Sequence, residues 1–318
     1  MSDTSIQQHV VPRAASPSLK ASPGRTSRWR LDLVGWSFIL PLLIVYAIFL
    51  LWPILLGLRM SLFNWSLVGS GTNEFFGFRN YAEALRDPNF WSSLWNTIVF
   101  TIISTPILVI LSLALSLMVN SVSGRMQWIY RLAFFAPYTL SVTVMALIWS
   151  WMFEPGFGLL NGVLTSLGLP SVNWLTQPGV AMLSVVLVTI WWTLGFNFLL
   201  YLAGLQQLSK EVYEASALDG ASWWNQVRYI TIPLLNRQTL LIVVLQVIAS
   251  LQLFGQTYLL TGGGPAYSTR PVIEYIYDSG FTNFRAGFAS ATSYLFFILI
   301  LLISLGQFWF LSRQGRNS

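Results

Sequence analysis

Six stretches of this chain, residues 33–58, 88–124, 132–153, 155–209, 238–269 and 286–312, contain no Asp, Glu, Lys or Arg. About 20 apolar residues cross a bilayer as a helix, so each stretch has room for at least one span. In hydrocarbon every backbone N–H and C=O must be satisfied within the segment, which selects helices for runs of this length. Composition agrees. Of 318 residues 55% are hydrophobic and 9% charged, against about a quarter charged in soluble domains. Too little polar surface remains to coat a soluble particle. The expected fold class is an all-α integral membrane protein with six transmembrane helices, at 34–58, 97–119, 133–153, 181–205, 239–260 and 291–311.

Residues 1–30 are rich in Ser, Pro, Ala and Arg and bury too little to offset ordering entropy, so a disordered tail is expected there. The apolar run behind it is longer than a signal-peptide core and has no A-x-A-like cleavage site, so it reads as a retained first span opening a transmembrane domain over 31–318. Cysteine is absent, which removes disulfides, thiolate metal sites and a Cys nucleophile. The one histidine, His9, sits in the tail. No metal site and no catalytic residue are expected. The net charge of +6 does not point to nucleic acid, because the excess lies in the tail and at span ends.

Orientation follows from the basic residues, which favour the cytosolic side. With the N-terminus inside, the inner segments hold Arg13, Lys20, Arg25, Arg28, Arg30, Arg125, Arg131, Lys210, Arg228, Arg237, Arg313 and Arg316. Arg59, Arg79, Arg86, Arg270 and Arg285 fall outside. Both termini are therefore expected in the cytosol. Pro41, Pro53, Pro106 and Pro137 fall inside spans, which neighbouring helices make tolerable and which implies kinks. Trp29, Trp36, Trp52, Trp65, Trp91, Trp95, Trp128, Trp149, Trp151 and Trp174 cluster near span ends and suit an interfacial aromatic belt, with sugar stacking as the other use of such rings.

No expected span contains an Asp, Glu, Lys, Arg or His. Ion-coupled carriers place such a group in the membrane, so the driving force should come from another protein. The chain also lacks the G-x-x-x-x-G-K-[ST] phosphate loop; Gly262–Gly264 has no following lysine and reads as a turn. A neutral lining suits a polyhydroxyl solute, which needs amides, hydroxyls and aromatic faces. Asn197 and Tyr201 stand one turn apart in span four, with Trp192 and Phe198 nearby. In span five, helical spacing puts Gln246, Ser250, Leu253 and Thr257 on one face, flanked by Gln252 and Gln256. These amides serve equally well as glue between helices.

The cytosolic loop 206–237 reads as two short helices with a joint. Ser209 is placed to cap the first, Gly220 suits the left-handed residue that ends it, Ser222 is placed to cap the second, and Pro233 is expected to break it before span five. Glu214, Ala215 and Leu218 share a face, and the small residues around them leave a thin surface. Such a loop either lies on the membrane or enters another protein's groove.

Glu214-Ala215-Ser216, Asp219-Gly220, and Ile230, Ile232 and Pro233 resemble the EAA loop of bacterial ABC importer permeases, with Ser216 replacing the second Ala. The resemblance extends over about residues 33–312. Thr261-Gly-Gly-Gly-Pro265, Ser268-Thr269, Tyr275-Ile-Tyr277 and Gly287-Phe-Ala-Ser-Ala291 are similar to the carbohydrate-uptake branch that contains the maltose and glycerol-3-phosphate permeases, as are Phe78-Arg-Asn-Tyr81, Asp87-Pro-Asn-Phe-Trp91 and Gly158-Leu-Leu-Asn161. It implies the type I ABC importer permease fold in a bacterial cytoplasmic membrane, with a cytosolic coupling helix carrying Glu214, Ala215, Ser216, Leu218, Asp219 and Gly220. It implies four partners: a second permease subunit in a heterodimer, two ABC ATPase subunits that bind ATP and Mg, a solute-binding protein, and the bilayer. It further implies that Gly195–Phe198 and Ser250–Leu253 line the sugar path, although Trp191 or Trp192 stands where the maltose permease has a polar residue. The chain is expected to be no enzyme and to hold no cofactor. The alternative is an ABC permease for glycerol-3-phosphate, a polyamine or another small polar solute.

Overall fold

The computed structural model describes the backbone of residues 25–68, 74–122 and 124–314, and the side chains of 36–68, 74–122 and 124–309. Apart from one antiparallel bridge between Phe63 and Phe75, all regular structure among the described residues is helical. The helices are α1 (Arg25–Tyr46), α2 (Trp52–Ser61), α3 (Arg79–Arg86), α4 (Pro88–Asn120), α5 (Arg125–Phe135), α6 (Val142–Met152), α7 (Leu159–Ser166) and α8 (Val180–Leu205), followed by α9 (Lys210–Leu218), α10 (Trp223–Gln226), α11 (Ile232–Leu234), α12 (Asn236–Leu251), α13 (Gly255–Leu260), α14 (Val272–Tyr277) and α15 (Ala286–Gln314). The first 24 residues of the expected tail lie outside the described residues, and α1 takes in its last part from Arg25 onward.

The chain forms two compact units, Met1–Leu56 and Gly57–Ser318. In the first, a widened π turn at Ala47–Leu51 sits just ahead of Pro53. Proline has no N–H for the carbonyl one turn back, and its ring needs room there; the wide turn supplies both. The same device recurs in the second unit, where a π turn at Val227–Thr231 precedes Pro233.

Among the described residues, four helical stretches are long and apolar enough to cross a bilayer: Trp36–Ser61, Pro88–Asn120, Val180–Leu205 and Ala286–Trp309. Two bent pairs raise the number to six if each is one span: Arg125–Thr139 with Val142–Met152, bent by 97°, and Trp223–Leu234 with Asn236–Leu251, bent by 66°. Span three, where Pro137 implies a kink, bends sharply, and span five, expected as one helix, is interrupted. Span three leaves α5 through a 3-10 turn at Ala136–Thr139 that holds Pro137, and Ser141 restarts the helix by accepting from the Val144 N–H at 3.3 Å. In span five, α12 ends at Leu251 and a new short helix, α13, starts at Gly255. Pro233 stands inside α11 rather than at its end, and the bend follows at Leu235.

In the second unit, α4 packs along α8 and against α12, while α13 packs on α6. The joint core of α4, α6, α8 and the α12–α13 break is Phe100, Met145, Phe153, Val185, Val188 and Leu253, each at most 1% exposed. Trp149 also lies in this core, at 7% exposure, rather than in an interfacial belt. In a second cluster, Ala84, Phe90, Leu94, Val272, Tyr275 and Phe288 join α3, α4, α14 and α15.

Candidate functional site

Between α4, α8, α12 and α13, a cavity of about 260 Å³ opens to one side of the second unit. Span four supplies Thr189, Trp192, Thr193, Phe196 and Asn197. Span five supplies Leu245, Gln246, Ala249 and Ser250 before its break, and Leu253 and Gln256 after it. Phe100 of α4 and Tyr138 of the 3-10 turn complete the wall. None of these side chains is charged.

A chain of hydrogen bonds ties the helices together along the wall. The Asn197 amide donates to Gln246 Oε1 at 2.7 Å, and Gln246 Nε2 donates to Ser250 Oγ at 3.1 Å. Ser250 Oγ lies 3.3 Å from Ser104 Oγ and 3.4 Å from Thr105 Oγ1. Asn197, Gln246 and Ser250 therefore act as helix glue as well as lining. The aromatic part is also fixed. Tyr138 and Phe196 stack with centroids 5.3 Å apart, and Trp192 donates its indole N–H to the Leu140 carbonyl at 3.1 Å. The exposed faces of Tyr138, Phe196, Leu245 and Ala249 leave the cavity open on that flank.

Of the residues expected along the path, the structure gathers Trp192, Asn197, Gln246, Ser250, Leu253 and Gln256. Four others lie elsewhere. Gly195 sits at a helix crossing, where a Cβ would collide with the Phe134 carbonyl oxygen and come within 2.7 Å of Phe135 Cα. Phe198 is fully buried against Val119 and Leu202, and Tyr201 against Leu205, Leu235 and Ile242. Gln252 is exposed. Gln246, Ser250 and Leu253 keep the expected face of span five, but helical phase restarts at Gly255 after the break at Gln252–Phe254, which buries Thr257 away from the cavity and separates Gln252 from Gln256. Thr189 and Thr193, missing from the sequence reading, were legible at one and two turns before Asn197. Tyr138 and Phe196 carried no such signal, since only the bend of span three brings them together.

The loop 206–237 follows its local chemistry. Ser209 accepts from the Glu211 N–H at 3.2 Å and caps α9. Gly220 ends it at φ +79°, in the left-handed region that favours glycine, although the space a Cβ would occupy is open, and Ser222 caps α10. The inner side of α9 is bound back to its own chain. Gln226 Nε2 donates to Ser216 Oγ at 2.9 Å, and the Tyr213 hydroxyl pairs with Thr231 at 2.9 Å. The other side is bare: Glu214, Ala215 and Asp219 are exposed, and Leu218 is 90% exposed. Pro233 is exposed as well.

After α13, the glycine turn 262–264 folds over a buried polar cluster. Arg270, 7% exposed, stacks its guanidinium 3.8 Å from the Tyr267 ring centre and faces Asp278 at 3.8 Å. Glu274, 2% exposed, reaches the space that a Cβ on Gly263 would need. Burial pushes the Glu274 carboxyl up to about 7, helped by Asp278 and opposed by Thr257 and Arg270. Burial also opposes ionisation of Asp87. There, hydrogen bonds from the Tyr275 hydroxyl at 2.5 Å and from Asn89, with Arg270 nearby, win and hold the carboxyl below the usual range.

The family model for the binding-protein-dependent transport system inner membrane component matches residues 81–315. The sulfoquinovosyl glycerol transport system permease protein of Agrobacterium fabrum is 33% identical over 88% of this chain and 92% of its own length. The lactose transport system permease protein of Rhizobium radiobacter is 32% identical over 87% and 94%. A chain of a bacterial alginate ABC transporter, crystallised with an alginate pentasaccharide-bound periplasmic protein, superposes with a TM-score of 0.79 at 24% identity, covering 89% of this chain and 95% of that one. A neutral, aromatic-walled cavity between apolar helices and a bare elbow at α9–α10 thus stand on a chain that belongs to the family of binding-protein-dependent transport system inner membrane components.

Proposed function

We propose that this chain is one of two membrane-spanning subunits of an ABC importer that takes up a sugar, oligosaccharide or sugar derivative. The observation that carries the reading is the elbow: α9 presents Glu214, Ala215 and a 90% exposed Leu218 away from its own fold. An apolar side chain so exposed on a helix whose other side is hydrogen-bonded inward fits a groove on a separate protein, here one of two ATPases that bind ATP and Mg. Closure of the ATPases pulls α9, Gly220 and the wide turn ahead of Pro233 pass the motion to α12, and the cavity wall moves with it. That is a bistable element of the kind coupling requires.

A second permease subunit, in a heterodimer, covers the open flank beside Tyr138, Phe196 and Leu245. Both bent pairs count as spans, giving six, with both termini cytosolic in a bacterial cytoplasmic membrane and an outer solute-binding protein delivering the cargo. The uncharged wall of amides, hydroxyls and rings supports a neutral polyhydroxyl solute and disfavours a polyamine or a phosphate ester. A relative whose name specifies lactose transport lends further support, whereas relatives named for sulfoquinovosyl glycerol and sn-glycerol-3-phosphate transport carry anionic cargo and favour a charged derivative.

The test is Leu218→Asp in the importer reconstituted with its ATPases and loaded binding protein. Thermal stability should stay unchanged while uptake and binding-protein-stimulated ATP hydrolysis fall at least tenfold. Wild-type uptake with normal stimulation, or uptake by this chain alone in vesicles without ATP, overturns the reading.

A further inference from the structure

A second cavity, of about 200 Å³, opens at the outer end of the same unit, with Asp87, Asn89, Tyr267, Arg270, Asp278 and Asn283 on its wall. Its polar groups are held in place before any ligand arrives. The Arg270 plane is fixed between the rings of Tyr267 and Tyr275, at 3.8 and 5.3 Å, and by Asp278. Asp87 is fixed by the Tyr275 hydroxyl and by the Asn89 amide, which donates at 3.1 Å. Arg285, also on the wall, is taken up by Glu83 at 2.8 Å.

On this wall Arg285 is paired with Glu83 and Arg270 with Asp278, so among the described residues the cavity has no free cation to hold an anion. It offers instead planar guanidinium, carboxylate and carboxamide groups beside a half-exposed aromatic ring, Tyr267 at 56%. Such groups hydrogen-bond neighbouring hydroxyls in pairs while the ring covers an apolar sugar face.

Its position also matters. Asn89 on this wall and Phe100 on the inner cavity's wall both belong to α4, eleven positions apart. That is close to three full turns, so they share a face about 16 Å apart along the helix axis.

We infer that the outer cavity is a second carbohydrate subsite, which takes an uncharged sugar at the outer end of α4 before the inner cavity does. This rests on the sugar-importer reading above.

The experiment uses the reconstituted importer with its binding protein and photoreactive diazirine derivatives of maltose and lactose, with labelled peptides identified by mass spectrometry. In the wild type, label should appear both on the segment containing Tyr267 and on the one containing Phe196. Tyr267→Ala and Asn283→Ala change exposed side chains, so the fold should be retained. Each should abolish the outer label, keep the inner one, and raise the half-saturating sugar concentration for uptake about tenfold at unchanged maximal rate, the loss of one aromatic or hydrogen-bonding contact. Label confined to the Phe196 segment overturns the subsite and leaves the importer reading standing. Label at neither place, together with no uptake of either sugar, removes the sugar reading itself. Variants that lose affinity for the binding protein while the outer label persists make the cavity a docking contact, which also overturns the proposal.

Discussion

Spans four and five carry similar cargo, Thr, Asn, Gln and Ser spaced along an apolar helix, yet fold differently. Helix α8 runs unbroken over Val180–Leu205, so Thr189, Thr193 and Asn197 reach the cavity one turn apart. The other side breaks after Leu251 and restarts at Gly255. No proline stands at Gln252–Phe254. The break places Leu253 in the core at 1% exposure and lets Gly255 approach Val142, where a Cβ would lie 2.9 Å from Cγ2. A continuous helix keeps its phase and a broken one resets it. Yet the unbroken side turns Gly195, Phe198 and Tyr201 into neighbouring helices, while across the break only Gln252 and Thr257 leave the wall.

The largest expected effect tests what holds the unbroken side. Gly195→Val drives a side chain into the backbone at Phe134 and Phe135, which cannot yield as a flexible side chain can. It should cost more than about 3 kcal/mol and leave little folded chain, as read by thermal unfolding in detergent and by size-exclusion yield.

The broken side continues into the glycine turn and Glu274, whose raised carboxyl sets the next effect. A folded-state value of about 7 against an unfolded 4.5 means the native chain binds the proton more tightly. Stability is therefore greatest below about pH 4.5 and is lost as pH rises to about 7, by at most about 3 kcal/mol. Melting temperature should fall between pH 5 and 7.5, and Glu274→Gln should remove that slope. A slope that persists in the variant assigns it to another group.

Asn197→Leu joins the two sides in one measurement. It leaves Gln246 Oε1 without its donor in a buried setting, so about 1–3 kcal/mol of stability should be lost. Pairing it with Gln246→Leu should restore part of that loss, because both polar ends are then gone; additive losses in the double-mutant cycle would show that the two amides act independently.

The smallest effect separates the two glutamines beyond Gln246. Gln252→Ala, on the exposed side of the break, should leave melting temperature and uptake within error. Gln256→Ala should raise the half-saturating sugar concentration a few-fold. Equal effects at both positions would mean that span five is continuous in the working protein.

Much of the chain was legible without coordinates. Uncharged run length set the helical, membrane-spanning class, because a bilayer fixes the length of a span and leaves no backbone group unsatisfied. Capping chemistry placed α9 and α10 within the loop, since Ser209, Ser222 and Gly220 act on their own neighbours in sequence. What sequence could not supply was phase across a break and distance between helices. Tyr138 meets Phe196, and Gly195 packs backbone to backbone rather than lining the cavity, because span three turns through 97° beside α8. The same holds for Asp87, which lies far along the chain from Arg270 and Asp278 and meets them only where α14 packs on α4. Caps and spans depend on contacts within a few residues, which sequence records directly; cavity walls depend on which side chain fills the space between helices, and only the packed bundle decides that.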